Sequence, residues 1–415
     1  MALNRFAFDP VHRIEGNPLY ARMAALGFDD MAFGFHLSPS RRVFASFAIY
    51  AFAMGNIFPR IGDVQLAMEV STGALGLGLI GAPVGTLISL TFGTPILERV
   101  GFRRALLACI PLVALFYAIA VQAPTPLVLF FLLVPVGLVI GCVEIMVNIE
   151  ADRTEHLVGY RIMNRAHAFW SIGFFLAGLV GAQMAAWGIS PQVQLALNVP
   201  LVMAAVALSL WNYQPAPPRP GTAAAAPHFA APTAAILVLV VVTIPAMLLE
   251  GASMDWSAIY MRDTFAAGPF MAGIAVACFA ASQATMRFFA DGYVDRHSPT
   301  GVARVLFVVL LVGCLVVTFS PWPYLALAGF AAMGMGTSAI FPLAMSAAAQ
   351  RQDRSAAINI AALAQFSFMM FLLGPPLLGY VAQTFGIRTA FGLSLPLIAI
   401  SLATAGALGR RRQAG

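Results

Sequence analysis

Twelve times along this chain, about twenty residues pass with hardly a charge among them, the length a helix needs to cross the hydrocarbon core of a bilayer. Nothing in lipid hydrogen-bonds a bare backbone, so runs of this length can only be helices or strands of a closed barrel. The short alternating segments of a barrel are absent. The sequence therefore predicts an all-α polytopic membrane protein. Composition agrees: 60% of the 415 residues are hydrophobic and 10% charged, where a soluble chain carries about 25% charge. A water-soluble enzyme, a disordered chain and a secreted disulfide scaffold are excluded on this ground.

The runs fall near 42–61, 73–96, 104–121, 126–149, 165–187 and 192–212, then near 233–256, 269–291, 302–320, 322–347, 357–383 and 389–409. Between the two sets, 213–232 holds six prolines and an alanine run, which no membrane helix tolerates, and reads as a linker. The predicted organisation is a polar tail over 1–40, a six-helix bundle over 41–212, the linker, a second six-helix bundle over 233–409 and a basic tail over 410–415. In the first tail, Leu19, Met23 and Leu26 share one face of a short helix that could lie on the membrane surface.

All 23 basic residues besides histidine are arginine. With twelve helices both termini share a side, and that side collects twenty arginines against Arg60, Arg262 and Arg388 on the other. Basic loops stay inside, so the termini are expected in the cytoplasm of a bacterial inner membrane. The net charge of +6 arises from these loops and does not signal nucleic acid. Cys109, Cys142, Cys278 and Cys314 sit in apolar runs without metal-ligand spacing, so neither a disulfide framework nor a metal site is expected. A chain without lysine has no Walker lysine, and no nucleophile triad or dinucleotide fingerprint stands out. No enzyme and no cofactor are implied.

After the second run come Gly93, Glu98, Arg99, Gly101, Arg103 and Arg104, and after the eighth come Asp291, Asp295 and Arg296. The first set resembles the helix 2–3 loop signature of the major facilitator superfamily, and the second resembles a weaker copy of it. Glu98 stands where the family usually has Asp. Further stretches resemble a branch of bacterial inner-membrane transporters similar to the fucose permeases. They are Arg60 to Asp63, Arg165 to Gly173, Glu250 to Ser257, Gly334 to Leu343 and Leu373 to Pro376. The resemblance covers roughly 42–409 and implies two six-helix bundles and transport. It also implies a functional acid in the fourth helix. Fucose permeases carry an acid in helix 1, where this chain has Asn56 and Arg60, so their sugar-and-proton arrangement does not transfer.

Ionisable residues within membrane helices are expensive and mark candidate function. Glu144 lies in the fourth run with Asn148 one turn on, and Glu250 lies in the seventh. An enclosed carboxyl can alternate between a proton-bearing and an ionised form, so both are proton-coupling candidates. The alternative for Glu144 is a structural hydrogen bond or a place at the cytoplasmic end. Asp255 stands two turns before Arg262 and could pair with it, with Trp256 as a cavity or belt residue. His167, with Trp170 and Ser171 nearby, could relay protons or orient structure. Arg60 could bind an anionic cargo, neutralise Glu250, or snorkel. Asn56, Gln283, Asn359 and Gln365 could line the cavity or bond helix to helix. Glu98, Arg99, Arg103, Arg104 and Arg296 read as a conformational gate, with Arg287 paired to Asp291 or Asp295. The function expected is secondary active transport of a small polar solute across the bilayer, driven by protons. An exporter and a non-transporting scaffold are the alternatives, the first weakened because Gly173, Gly178 and Gly181 lack the proline of the exporter signature.

Overall fold

The computed structural model describes residues 37–218 and 230–409. Among these, twelve helical spans are long and apolar enough to cross a membrane, and no strand occurs. We label them α1 (Pro39–Met68), α2 (Thr72–Phe92), α3 (Phe102–Ala120), α4 (Pro126–Val158), α5 (Met163–Ala186) and α6 (Pro191–Leu210), followed by α7 (Ala234–Phe265), α8 (Pro269–Phe289), α9 (Pro299–Phe319), α10 (Pro323–Ala349), α11 (Ile358–Phe385) and α12 (Ile387–Leu408). The expected surface helix around Leu19, Met23 and Leu26 and the basic tail at 410–415 lie outside the described residues.

Three spans outrun the hydrophobic pattern, and α1 does so by reaching Met68. The α4 helix continues through Glu150, Asp152 and Arg153 to Val158, and α7 continues to Phe265. An apolar run ends where lipid ends, but a helix ends where the backbone can turn. Here that happens at Gly159 with φ 75° and at Ala266 with φ 48°. In the loop after α2, a short helix Thr94–Val100 is stopped by Gly101 at φ 88°, which accounts for the glycine in that signature.

Small residues let the helices meet. Gly85 of α2 and Gly137 of α4 are each pressed on the other helix's backbone, and a Cβ on either would strike a carbonyl oxygen there. Thr86 donates to Gly137 O at 3.2 Å across the same contact. The first six helices meet the last six mainly through α5 on α8 and α2 on α11. If helix n corresponds to helix n+6, these two contacts exchange places, the pattern of a pseudo-twofold fold.

Contacts between the two sets are dense at the end away from the termini. Arg262 of α7 donates to Gly62 O at 2.9 Å and Gln65 Oε1 at 2.8 Å on α1. Thr72 donates to Gly379 O at 3.1 Å, and a Cβ on Gly76 would stand 2.5 Å from Pro375 O. Pro59 breaks α1 with a short 3-10 turn and wedges between Gly181 of α5 and Gly273 of α8. This end is sealed.

Both described ends of the Pro/Ala-rich connection are pinned. The Ala216 N–H donates to Glu150 Oε1 at 2.8 Å, and the Ala230 N–H donates to Gln365 Oε1 at 3.1 Å. Arg354 holds Ala231 O at 2.8 Å, while Asp353 accepts from Thr233 at 2.8 Å and from Asn359 at 2.9 Å. These hydrogen bonds, Asn359's first, hold the Asp353 carboxyl below the usual carboxylate range.

Candidate functional site

A charged network sits between the two sets of helices, and its centre is Arg287 of α8. The guanidinium donates to Ser171 Oγ of α5 at 2.7 Å and to Ser338 O of α10 at 3.2 Å. It forms an ion pair with Glu250 of α7 at 3.5 Å. Its carbon lies 5.9 Å from the Trp170 ring centroid. The free carbonyl of Ser338 has a local cause. Four residues on stands Pro342, which has no N–H to return, and α10 breaks there into Pro323–Thr337 and Ile340–Ala349. Gln283, one turn before Arg287 and wholly buried, donates to Glu250 Oε1 at 2.9 Å and accepts from Ser171 at 3.4 Å.

Glu144 of α4 faces the same centre from the first six helices and feels the Arg287 charge. It accepts from Tyr50 Oη at 2.9 Å and from Asn148 Nδ2 at 3.1 Å. His167 packs edge-on against Phe47 at 5.1 Å and also lies within the field of Arg287. Trp170 stacks on Phe174 at 5.3 Å, and its indole N–H is buried without an acceptor among the described residues. Glu144, Asn148, His167, Trp170, Glu250, Gln283 and Arg287 are thus brought together.

Several sequence expectations place residues differently from the structure. Arg287 reaches partners on other helices. It pairs with Glu250, because the side chain points into the interface with α5, and the side chains of Asp291 and Asp295 lie outside the described ones. Arg60 does not neutralise Glu250. It is 3% exposed and committed to Asp63 at 2.5 Å, Gln194 Oε1 at 2.5 Å and Ile189 O at 2.8 Å. Arg262 pairs with Asp263 at 2.6 Å, not with Asp255, because its guanidinium reaches across to α1. Asn56 bonds within the first six helices, to Phe52 O, Gln194 and Asn198. Asn359 and Gln365 hold the loop before α11 and the end of the connection. Asp255 and Trp256 lie one to two turns beyond Glu250, in a recess between α7 and α11.

Sequence reasoning missed Tyr50 and Ser338. Tyr50 had no charged neighbour in sequence to mark it. Ser338 did carry a signal, the proline four residues later.

Both sets of helices superpose together on solved transporters. A bacterial homologue of the human lysosomal transporter Spinster aligns with TM-score 0.69 at 13% identity, over 89% of this chain and 96% of that one. The nucleoside transporter NupG aligns with TM-score 0.66 at 14% identity, over 90% and 98%. The Major Facilitator Superfamily profile matches residues 233–414. The fold is that of the major facilitator superfamily. Among curated relatives, an uncharacterised transporter, y4wD, of Sinorhizobium fredii is 28% identical over 88% of this chain and 97% of its own length. The membrane protein MosC of Rhizobium meliloti is 22% identical over 92% and 94%. The fucose:proton symporter FucP of E. coli aligns with TM-score 0.57 at 14% identity, over 90% and 98%.

Within the superfamily frame, the helix 2–3 signature lies at the end opposite the sealed one. Arg103 donates to Trp211 O at 2.7 Å. Glu98, Arg99, Arg104 and Arg296 are exposed.

Proposed function

We propose that the protein moves a small polar solute across a bacterial inner membrane by alternating access, with protons as the coupling ion and both termini in the cytoplasm. The observation that carries this reading is the single network in which Arg287 joins Ser171 of the first six helices to Glu250 of the last six, with Glu144 facing it. Such a network changes partners when the two sets move apart. A proton arriving on Glu144 or Glu250 weakens its hold on Arg287, which couples protonation to the position of the helices. The sealed end opposite the termini corresponds to a state open toward the cytoplasm. Glu98, Arg99, Arg103 and Arg104 then form pairs when that side closes, with Arg296 joining them from the second loop. The fucose:proton symporter among the structural neighbours supports a proton as the partner ion.

The test is uptake into proteoliposomes with and without an imposed pH gradient, for wild type, Glu144→Gln, Glu250→Gln and the double variant. The expected result is loss of gradient-driven accumulation with solute exchange partly kept in at least one single variant. Accumulation surviving in the double variant refutes proton coupling through this centre. Orientation is tested separately by single cysteines in a cysteine-free background. A cysteine at Pro124 should label from the periplasm, and one at Pro218 only after permeabilisation.

A further inference from the structure

Glu144 and Glu250 are each answered by neighbours. Glu144 takes hydrogen bonds from Tyr50 and Asn148, and Glu250 from Gln283 and Arg287. Asp255, on the same helix as Glu250, is not: among the described residues it accepts no hydrogen bond and forms no ion pair. The charged groups along its helix and on the helices beside it are engaged elsewhere. Arg262 holds Asp263, Gly62 and Gln65, Arg287 holds Ser171, Ser338 and Glu250, and Arg60 holds Asp63, Gln194 and Ile189. Of the other helices around it, α2 carries no titratable side chain and α11 only the exposed Tyr380. From α3, Tyr117 lies within electrostatic reach of Asp255.

Asp255 also sits directly beneath the seal. With Gly251, Trp256, Phe371, Gly374 and Pro375 it lines a recess between α7 and α11 that has room for about one water, too little to hydrate a carboxylate. Trp256, next in sequence, packs its ring on Gly379 of α11, and the carbonyl of Gly379 accepts from Thr72 of α2. Pro375, in the recess wall, meets Gly76 of α2. One turn beyond Asp255, Ile259 rests against Gly62 of α1. The contacts that close this end thus surround Asp255. Parting α2 from α11 and α1 from α7 lets outside water reach it.

We propose that Asp255 is a proton latch: it holds its proton while this end is sealed and gives it up when the end opens. This rests on the transporter reading above and adds to it the acid whose protonation permits closure of the end away from the termini. An ionised carboxylate shut away from water needs donors or an opposite charge close by, and the sealed protein supplies neither at Asp255. The neutral acid has no charge to answer. On opening, water enters, the O–H bond of the carboxyl breaks, the electron pair stays on the carboxylate and the proton passes to water on that side. Resealing takes a proton back. The sealed state therefore holds one proton more than the opened state, so acid favours sealing and alkali favours opening. Glu250 does not serve this purpose, since Arg287 and Gln283 answer its charge with the end closed.

The experiment needs no cargo. Spin labels are placed on cysteines at Gln122 and Trp322, exposed positions of the two sets at the sealed end, in the full chain freed of its own cysteines. Pulsed electron–electron double resonance then reads the distance between them in detergent from acid to alkaline pH. The expected result is a second, longer distance whose share relative to the sealed one rises by up to about tenfold per pH unit, as release of one proton demands. Asp255→Asn, which stays neutral, should remain sealed throughout. The proposal is overturned if the wild-type distances ignore pH, or if Asp255→Asn keeps more than half of the wild-type response. If Asp255→Asn does not fold, Asp255→Leu takes its place among the apolar neighbours of the recess, and the same two outcomes decide. A protein whose sealed end opens through Asp255 but which accumulates no solute in proteoliposomes sinks the transporter reading alone. One that accumulates solute on a pH gradient while the Asp255 variant opens as wild type does sinks this inference alone.

Discussion

Arg60 and Arg287 are both enclosed between helices, both multiply bonded and both paired with an acid, yet they belong to different kinds of place. All the side-chain partners of Arg60, which are Asp63, Gln194 and the carbonyl of Ile189, lie within the first six helices. Arg287 takes Ser338 and Glu250 from the last six helices and Ser171 from the first six. Burial of a charge in a membrane therefore does not by itself mark a moving part. What separates a staple from a coupling element is whether its partners ride on one rigid body or on two.

The largest effect expected from that comparison is on stability. Arg60→Ala leaves Gln194 and the Ile189 carbonyl unmet inside the bundle. The cost should be about 3 kcal/mol, read as a lower thermal midpoint and reduced yield, with transport per folded molecule kept. If the folded fraction is normal but inactive, Arg60 is no staple. Arg287→Lys is the converse case. A lysine keeps the charge but cannot reach Ser171, Ser338 and Glu250 together. Transport should fall about tenfold, close to 1.4 kcal/mol in the barrier, while the midpoint changes little. Equal losses in both variants would erase the distinction.

Twelve helices and their order were legible because lipid imposes one rule on every span, and that rule is written in composition. The ends of α4 and α7 were not, since the helix outlives the apolar run until Gly159 or Ala266 permits the turn. In the site, the acids could be named because a charge in an apolar run stands out. Their partners could not. Tyr50 and Glu144 are 94 residues apart, and nothing local ties them. Arg287 was read as a gate residue because Asp291 and Asp295 are near in sequence, whereas Glu250 and Ser171 are near only in space.

A smaller effect sharpens the contrast at the end opposite the sealed one. Arg99 is exposed, so Arg99→Ala should shift stability by no more than about 0.5 kcal/mol while slowing transport severalfold and leaving solute affinity within a few fold. A large loss of binding would move it into the solute site. The smallest effect concerns Asp353, outside the spans. Its carboxyl is held below the usual range by Asn359 and Thr233. Its contribution is therefore full above the ordinary Asp value and lost as pH falls through the lowered one. Asp353→Asn should lower stability at neutral pH and make no difference once pH falls below the lowered value, so the acid-side fall of the profile becomes shallower. An equal change at every pH would contradict the assignment.

The pinned connection has a mechanical meaning. The fourteen residue steps from Ala216 to Ala230 span at most about 50 Å when extended. A covalent tether of that length keeps the two bundles at about millimolar effective concentration. A chain cut between Pro220 and Gly221 and produced as two pieces should reassemble in the membrane, because what registers one bundle against the other is the glycine-lined contact surface and not the strand of chain between them.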